Sequence, residues 1–171
     1  MKTACASAAP LSSPRWIWKC NKIHRTFPNL ELHASTQASS HNSLSAEKLK
    51  EIGFSRIVIA RETPAADLFA SVKNSPLEVE MFIHGALCVS HSGQCLFSSL
   101  VGGRSGNRGE CAQPCRLPFA CKKGGNAYPL SLKDLSLAAH VPALIESGVA
   151  SLKIEGRMKA PEYVRDTARI W

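Results

Sequence analysis

Five of the seven cysteines in this sequence are confined to one segment of 34 residues. They follow the spacing C-x6-C-x15-C-x3-C-x5-C and are Cys88, Cys95, Cys111, Cys115 and Cys121. Four thiolates can close an all-cysteine site that suits either a zinc ion or an iron–sulfur cluster, and the spacing does not choose between them. We therefore predict that the first four cysteines bind a metal centre, with Cys121 as a spare or alternate ligand. Ordinary buried thiols are the alternative.

A glycine- and arginine-rich run, GGRSGNRG at 102–109, lies between the second and third of these cysteines. Its backbone N–H groups and two guanidinium groups are suited to holding a phosphate or carboxylate, although a flexible loop with solvated arginines has the same composition. The formal net charge of +8 favours a polyanionic partner. We predict a basic face that contacts an RNA backbone. Its candidate RNA-binding residues are Arg104, Arg108, Arg116, Lys153 and Arg157.

The cysteine count also bears on the cellular compartment. Seven is an odd number, and the 171-residue chain has no pattern typical of a small disulfide-rich protein. This usage favours a reducing compartment in which thiols bind metal or react, so we expect a cytoplasmic protein. No run of 18 apolar residues occurs, and we expect no association with a membrane.

Strand and helix patterns alternate from residue 30 onward. Period-two or β-branched runs predict strands at 30–36, Arg56–Ala60, Leu77–His84, Tyr128–Leu132 and Ala150–Ile154. Helical patterns with start or stop signals predict helices at Ser43–Ile52, Pro64–Lys73, Leu135–Ser147 and Pro161–Trp171. We expect Ser45 and Thr63 to cap the first two helices, and Gly53 to end the first.

This alternation predicts an α/β fold with a parallel sheet covered by helices, closest to a (β/α)8 barrel or an open doubly wound sheet. About five strand units fit, whereas a closed barrel needs about 250 residues, so we predict a partial TIM-like barrel with a cysteine-rich insertion at 85–121. We assign this domain to residues 27–171. Residues 1–26 contain no Asp or Glu, and we predict an atypical, disordered leader, with a transit peptide as the alternative. Further sequence or a partner subunit would complete the barrel.

Polar positions on the predicted strands are the candidates for catalysis. One face of every barrel strand packs on the outer helices, and active sites lie at the C-terminal strand ends. Glu80 and His84 share the polar face of one strand, and Glu155 ends another. We predict that Glu80, His84 and Glu155 are catalytic. An internal ion pair between Glu80 and Lys153 is the structural alternative.

Six separated motifs carry a resemblance to a known family. They are EMFIHGALCVSHSGQCLFS at 80–98, HASTQ at 33–37, IGFSRIVIARE at 52–62, GGRSGNRGECAQPCR at 102–116, LSLKDL at 130–135 and SLKIEGRMK at 151–159. The first resembles the signature of the U32 family, named as collagenase-like peptidases, and the other five resemble the same family in the same order. The resemblance extends from about Phe27 to Trp171. The family also contains bacterial RNA hydroxylation proteins and ubiquinone hydroxylation proteins.

The resemblance implies a function and a cofactor. Family members that hydroxylate substrates are similar in their cysteine pattern, which implies a [4Fe-4S] cluster rather than zinc. The favoured interpretation is an RNA-modifying hydroxylase that adds a 5-hydroxyl group to a pyrimidine of tRNA or rRNA. A truncated fragment that only binds RNA or a partner is a further alternative.

A collagenase-like peptidase is the second interpretation that the resemblance implies. The sequence has neither H-E-x-x-H nor G-x-S-x-G, so a peptidase would need a cysteine nucleophile, such as Cys88 with His84 or His91. A thiolate committed to a metal centre is not free to attack a peptide. The hydroxylase and peptidase interpretations therefore compete for the same sulfur atoms.

Overall fold

A computed structural model of the chain describes residues 3–6, 14–120 and 126–171. The helices are α1 (Pro14–Thr26), α2 (Ser43–Ile52), α3 (Ala65–Asn74), α4 (Phe97–Gly102), α5 (Val141–Ser147) and α6 (Pro161–Ile170). The strands are β1 (Thr3–Ala6), β2 (Glu31–Ala34), β3 (Phe54–Val58), β4 (Glu78–Gly85), β5 (Phe119–Ala120), β6 (Asn126–Ala127), β7 (Leu135–Ser136) and β8 (Ser151–Glu155). None of the helices in these residues is long and apolar enough to cross a bilayer.

Six of these strands form one open sheet, which confirms the predicted α/β class. Strands β1, β2, β3 and β4 are parallel neighbours in chain order, and β8 continues the parallel sheet on the far side of β4. Strand β7 pairs antiparallel with the last residues of β4, and β5 and β6 form a separate hairpin. Because the five strands β1, β2, β3, β4 and β8 are parallel, the loops that follow them lie at the same edge of the sheet.

Strand β4 shows how the sequence pattern produces the core. Leu77, Val79, Met81 and Ile83 are all buried on one face of the sheet, as their alternation predicts. They pack in one cluster with apolar residues of α2, α3 and α5, including Leu49, Leu68 and Leu144. Burial of each such side chain stabilises the fold by roughly 1.5–3 kcal/mol before conformational entropy is counted. The sheet is thereby fixed against its helices.

Helix α2 begins and ends at the predicted residues, but its cap differs from the prediction. Asn42 rather than Ser45 is the N-cap, and its side-chain oxygen accepts a hydrogen bond from the Ser45 N–H at 3.0 Å. Gly53 ends the helix at a φ of +102°, as predicted. Thr63 does not cap α3, since its hydroxyl lies 3.3 Å from His41 Nδ1 instead.

The segment after the cysteines departs most from the predicted elements. The predicted strand Tyr128–Leu132 is wrong, because its carbonyl and hydroxyl groups at 131 and 132 bind the Arg116 guanidinium and hold a loop. The predicted helix Leu135–Ser147 is confirmed only from Val141. Leu135 and Ser136 pair with β4 instead, and Pro142 lies in the first turn of α5, where the missing N–H costs nothing.

The first part of the chain contains two described elements. Strand β1 pairs with β2, and Cys20 of α1 is buried in the same core as Leu32 and Phe54. The predicted leader covers these elements and also residues 1–2 and 7–13, which lie outside the described residues. Cys121 lies outside them too.

Candidate functional site

A cavity of about 320 Å³ opens at the edge of the sheet where β2, β3, β4 and β8 end. This volume is within the range of small-molecule sites, about 300–1,000 Å³, and the position is the usual one for sites in parallel sheets. All four cysteines predicted as metal ligands line it. The lining residues that carry charge or an aromatic ring are Arg61, Phe82, His91, Phe97, Arg116, Lys153, Glu155 and Arg157.

Two glycines bring the segment with the first two cysteines against the sheet. Gly85 ends β4 at a φ of +104°, and a Cβ at this position would lie 2.3 Å from the carbonyl oxygen of Glu155. Gly93 has a φ of +76°, and its Cβ would lie 2.4 Å from the carbonyl oxygen of Gln37. Only glycine allows both this conformation and this approach of two backbones. The chain can therefore turn from β4 into the cavity wall that carries Cys88 and Cys95.

The other two cysteines are positioned by hydrogen bonds to the glycine-rich run. The buried hydroxyl of Ser98 accepts a bond from the Ala112 N–H at 2.9 Å, and Arg104 Nε donates to the Glu110 carbonyl at 2.9 Å. Cys111 Sγ accepts a bond from the Gln113 N–H at 3.3 Å. The run is thus a folded turn that holds Cys111, and Cys115 follows in a short 3-10 helix, Pro114–Arg116.

The four thiols line one cavity and could together hold a metal centre. Burial raises the pKa of Cys115, and negative charge on Cys88 and Cys111 raises it further, so these sulfurs interact. Yet among the described residues no three of the sulfurs lie within 4.8 Å of one another. Zinc–sulfur bonds of 2.3 Å would place tetrahedral ligands about 3.8 Å apart. A thiolate set on one cavity with wider spacing suits a larger centre.

An arginine that the sequence motifs did not single out points at the same space. Arg61 follows β3, and its guanidinium carbon lies 5.1 Å from the Phe82 ring centroid, with Lys153 Nζ 5.5 Å from that centroid. Its Nε is buried without a hydrogen-bond partner. The sequence signal that could have identified Arg61 is its position directly after a predicted strand, at the edge of a parallel sheet where binding sites form. Phe82 therefore has two cationic groups over its ring within the cavity that the thiols line.

The sequence model of peptidase family U32 matches residues 19–171, which is most of the chain. The chain belongs to peptidase family U32. It is 40% identical to tRNA hydroxylation protein P1 of Bacillus subtilis over 94% of its length, and 44% identical to an Escherichia coli 23S rRNA 5-hydroxycytidine synthase over 81%. It is also 34% identical to a collagenase of Porphyromonas gingivalis over 83%. The chain spans 40%, 22% and 39% of these three relatives. No solved structure matches it significantly.

The predicted RNA-binding residues of this U32 chain separate into two groups. Lys153 and Arg157 line the cavity. Arg104 and Arg108 are exposed on the glycine-rich run and lie outside the lining. Both groups have cationic atoms that face solvent or the cavity.

Arg116 also lines the cavity, but its guanidinium has a structural role. Its guanidinium donates to the Leu87 carbonyl at 2.8 Å, to Ser131 Oγ at 3.0 Å and to the Leu132 carbonyl. It therefore holds the segment before Cys88, the end of the cysteine segment and the loop 128–134 together. Its donors are committed to the protein rather than to a phosphate.

The three predicted catalytic residues do not converge. Glu155 lines the cavity, and its Oε1 accepts a bond from the Arg157 N–H at 2.9 Å. Glu80 is buried below the cavity and pairs with Lys153 Nζ at 2.7 Å and Arg56 at 3.4 Å, which is the alternative that the sequence left open. His84 packs against the rings of Tyr163 and Trp171, with centroids 6.1 and 5.7 Å away. Of the three, only Glu155 is placed to meet a substrate in this cavity.

The Glu80 pair makes stability depend on pH. Burial pushes the pKa of Glu80 up, but its bonds to Lys153 and Arg56 outweigh burial and hold the pKa below the ordinary value. A carboxyl with a lowered folded-state pKa stabilises the fold above its unfolded pKa of about 4.3, and this contribution is lost as pH falls through the folded value. We expect Glu80→Gln to lower the free energy of unfolding at neutral pH by roughly 1–3 kcal/mol and to flatten its acid dependence.

Urea unfolding of both proteins between about pH 3 and pH 7 measures this difference. Glu78→Gln is the matched control, because Glu78 also pairs with Arg56 but its side chain is 56% exposed. Equal losses of unfolding free energy in the two variants would show that the burial of Glu80 does not strengthen its ion pairs.

Proposed function

We propose that this chain is the cavity-bearing part of an RNA-modifying enzyme that adds a 5-hydroxyl group to a pyrimidine of tRNA or rRNA. The observation that carries the proposal is a single cavity lined by four thiols, aromatic rings and cationic side chains. The relatives named for tRNA and rRNA hydroxylation, at 40% and 44% identity, support it. RNA requires cations for its backbone and a flat face for an exposed base, and both lie at this edge of the sheet.

Four cysteines, Cys88, Cys95, Cys111 and Cys115, would hold a [4Fe-4S] cluster. The cluster would supply one-electron transfer to the reaction when bound. Zinc is the alternative metal, and the wide spacing of the sulfurs argues against it. Cytoplasm is the compartment we propose, because thiolates persist there and RNA is present.

The protein's own side chains would bind and orient the RNA. Arg61 and Lys153, whose cationic groups lie over the Phe82 ring, would hold a phosphate or a base oxygen, and a base that displaced one of them would stack on that ring. Arg157 would bind a neighbouring phosphate, with Arg104 and Arg108 outside the cavity extending the basic face. Glu155, the one acidic group in the lining among the residues that the structure describes, would accept a proton or hydrogen bond from the base.

The sheet order supports a proposal about the complete fold. Five parallel strands, β1, β2, β3, β4 and β8, follow one another in the order of a barrel wall. We propose that they form part of a (β/α)8 barrel whose other strands come from a partner subunit or another part of the protein. The cysteine segment would then be an insertion at the barrel mouth, where active sites of such barrels lie.

The proposed function is tested by nucleoside mass spectrometry of total tRNA and rRNA. A strain that lacks the gene should lose one 5-hydroxypyrimidine, and the wild-type gene should restore it. Arg61→Ala should lower the rate of modification by about a hundredfold, since misplacement of a substrate has effects of this size. Lys48→Ala, an exposed lysine of α2 paired with Glu51, is the control that should restore modification fully. An unchanged nucleoside profile in the deletion strain would overturn the proposal.

A peptidase is the second candidate, and one observation favours it. Cys88 and His91 line the same cavity, and His91 Nδ1 lies 3.2 Å from a Glu62 oxygen, as in a cysteine–histidine–carboxylate arrangement. The Porphyromonas gingivalis relative is named a collagenase. Gelatin cleavage by the purified full-length protein, abolished by Cys88→Ser and indifferent to Arg61→Ala, would favour this candidate over the hydroxylase.

A further inference from the structure

Three side chains from three loops meet beside the cysteine cavity. His41 follows β2, Glu62 follows β3 and His91 follows β4. His41 Nε2 lies 3.7 Å and His91 Nδ1 lies 3.2 Å from the same Glu62 oxygen, Oε1. Each of the three offers one ligand atom, and these atoms lie within 4.8 Å of one another. No other group of metal-ligating side chains in the described part of the chain meets this distance.

We propose that His41, Glu62 and His91 bind a divalent transition-metal ion. Two imidazoles and one carboxylate are the donor set of zinc and of non-haem iron(II) sites that keep open positions. Metal–ligand bonds of about 2.0–2.2 Å in a tetrahedron separate neighbouring ligand atoms by about 3.3–3.6 Å. The two distances to Glu62 lie close to this interval, so an ion can enter with little movement of the side chains.

The surroundings of the three residues hold them in a ligating orientation. Thr63 Oγ1 lies 3.3 Å from His41 Nδ1, which leaves Nε2 facing Glu62. Ser92 donates its N–H to Glu62 Oε1 at 2.7 Å and its hydroxyl to Oε2 at 2.8 Å. A carboxylate oxygen has a second lone pair for a metal after one such bond. Hydrogen-bonded partners of this kind fix ligands in metal sites.

The site is chemically separate from the cysteine centre but is linked to it by the chain. Its donors are nitrogen and oxygen, whereas those of the cysteine centre are sulfur. His91 lies in the segment between Cys88 and Cys95, and the adjoining Gly93 packs against the backbone of Gln37. A bound ion would therefore fasten this segment to the loops after β2 and β3. The inference does not depend on the proposed RNA chemistry.

Cobalt(II) titration of the full-length protein tests the proposal. The titration uses a background in which Cys20 is replaced by alanine and the other six cysteines by serine, so that sulfur cannot bind the ion. We expect one Co²⁺ per chain, with visible absorption of a nitrogen- and oxygen-ligated ion. The double variant His41→Ala, His91→Ala should weaken Co²⁺ binding by more than about tenfold. Loss of a residue that only hydrogen-bonds to a metal ligand already weakens binding by about 10- to 100-fold. His140→Ala, an imidazole outside the group, should leave it unchanged.

A second variant separates metal binding from hydrogen bonding. Glu62→Gln keeps one oxygen that can accept the Ser92 N–H bond, and the Ser92 hydroxyl can turn to accept a bond from the new amide N–H. The change removes the charge, so it should weaken Co²⁺ binding while the thermal midpoint without metal stays close to that of the parent. Equal Co²⁺ affinity in parent and variants would overturn the proposal. If the cysteine-free background does not fold, Mn²⁺ binding to the unmodified protein decides it, because Mn²⁺ favours oxygen and nitrogen over thiolates. Unaltered Mn²⁺ binding in Glu62→Gln would then overturn it.

Discussion

Replacing any one of Cys88, Cys95, Cys111 or Cys115 with serine is expected to remove most of the iron and acid-labile sulfide from protein purified without oxygen. Four cysteines line one cavity, so each replacement leaves three thiolates where the cluster requires four ligands. We expect the wild-type protein to be brown, with absorption in the visible range, and the variants to be nearly colourless. Iron and sulfide assays together with the absorption spectrum measure the change.

The control for this prediction is Cys20→Ala. Cys20 is 3% exposed in the core, so its replacement should lower stability slightly and leave iron and sulfide unchanged. Stoichiometric zinc without sulfide in the wild-type protein would contradict the prediction and assign the cysteines to a structural zinc site.

Gly85→Ala is expected to be the most destabilising single substitution considered for this fold. Its φ of +104° disfavours any residue with a Cβ, and that Cβ would lie 2.3 Å from the Glu155 carbonyl oxygen. The strained conformation costs about 1–3 kcal/mol, and forced separation of β4 from β8 adds about 1–3 kcal/mol more. We expect a combined loss of about 2–6 kcal/mol, a large share of the stability of about 5–15 kcal/mol of an ordinary domain.

Gly103→Ala is the matched control for Gly85→Ala. Gly103 also has a positive φ, +67°, but nothing lies within 4 Å of the position of its Cβ. This substitution should therefore cost only about 1 kcal/mol, from the backbone conformation alone. Urea unfolding of both variants measures the difference, and equal losses would mean that the close approach of β4 and β8 is not a constraint.

The parts of the fold that were predictable are those that local patterns determine. The alternation at Leu77–Ile83 assigned the buried face of β4, and Gly53 marked the end of α2. Pro142 also carried a usable signal, because proline is tolerated only in the first turn of a helix and thus marks where α5 begins. Motif order was sufficient for the family and for the grouping of the cysteines.

Contacts between distant segments were beyond the reach of the sequence. The role of Arg116 depends on carbonyl groups at 87 and 132, and a basic residue in a basic segment does not reveal them. Likewise, the His41, Glu62 and His91 group draws one residue from each of three loops, at spacings that match no metal motif. The pair of Glu80 with Lys153, 73 residues apart in the chain, was one of two alternatives that the sequence offered, and the register of β4 with β8 is what selects it.

Arg116 has a consequence for the order in which the protein is assembled. It follows Cys115 directly, and its bond to the carbonyl of Leu87, which precedes Cys88, joins the two ends of the ligand-bearing segment. Closing a flexible loop costs conformational entropy, and this cost grows with the length of the loop. Here the protein's own hydrogen bonds close the loop. We therefore expect the apoprotein to form this enclosure before the proposed metal centre binds. Binding of that centre would then be a late step on a folded chain, in contrast to small metal domains that fold only as the ion binds.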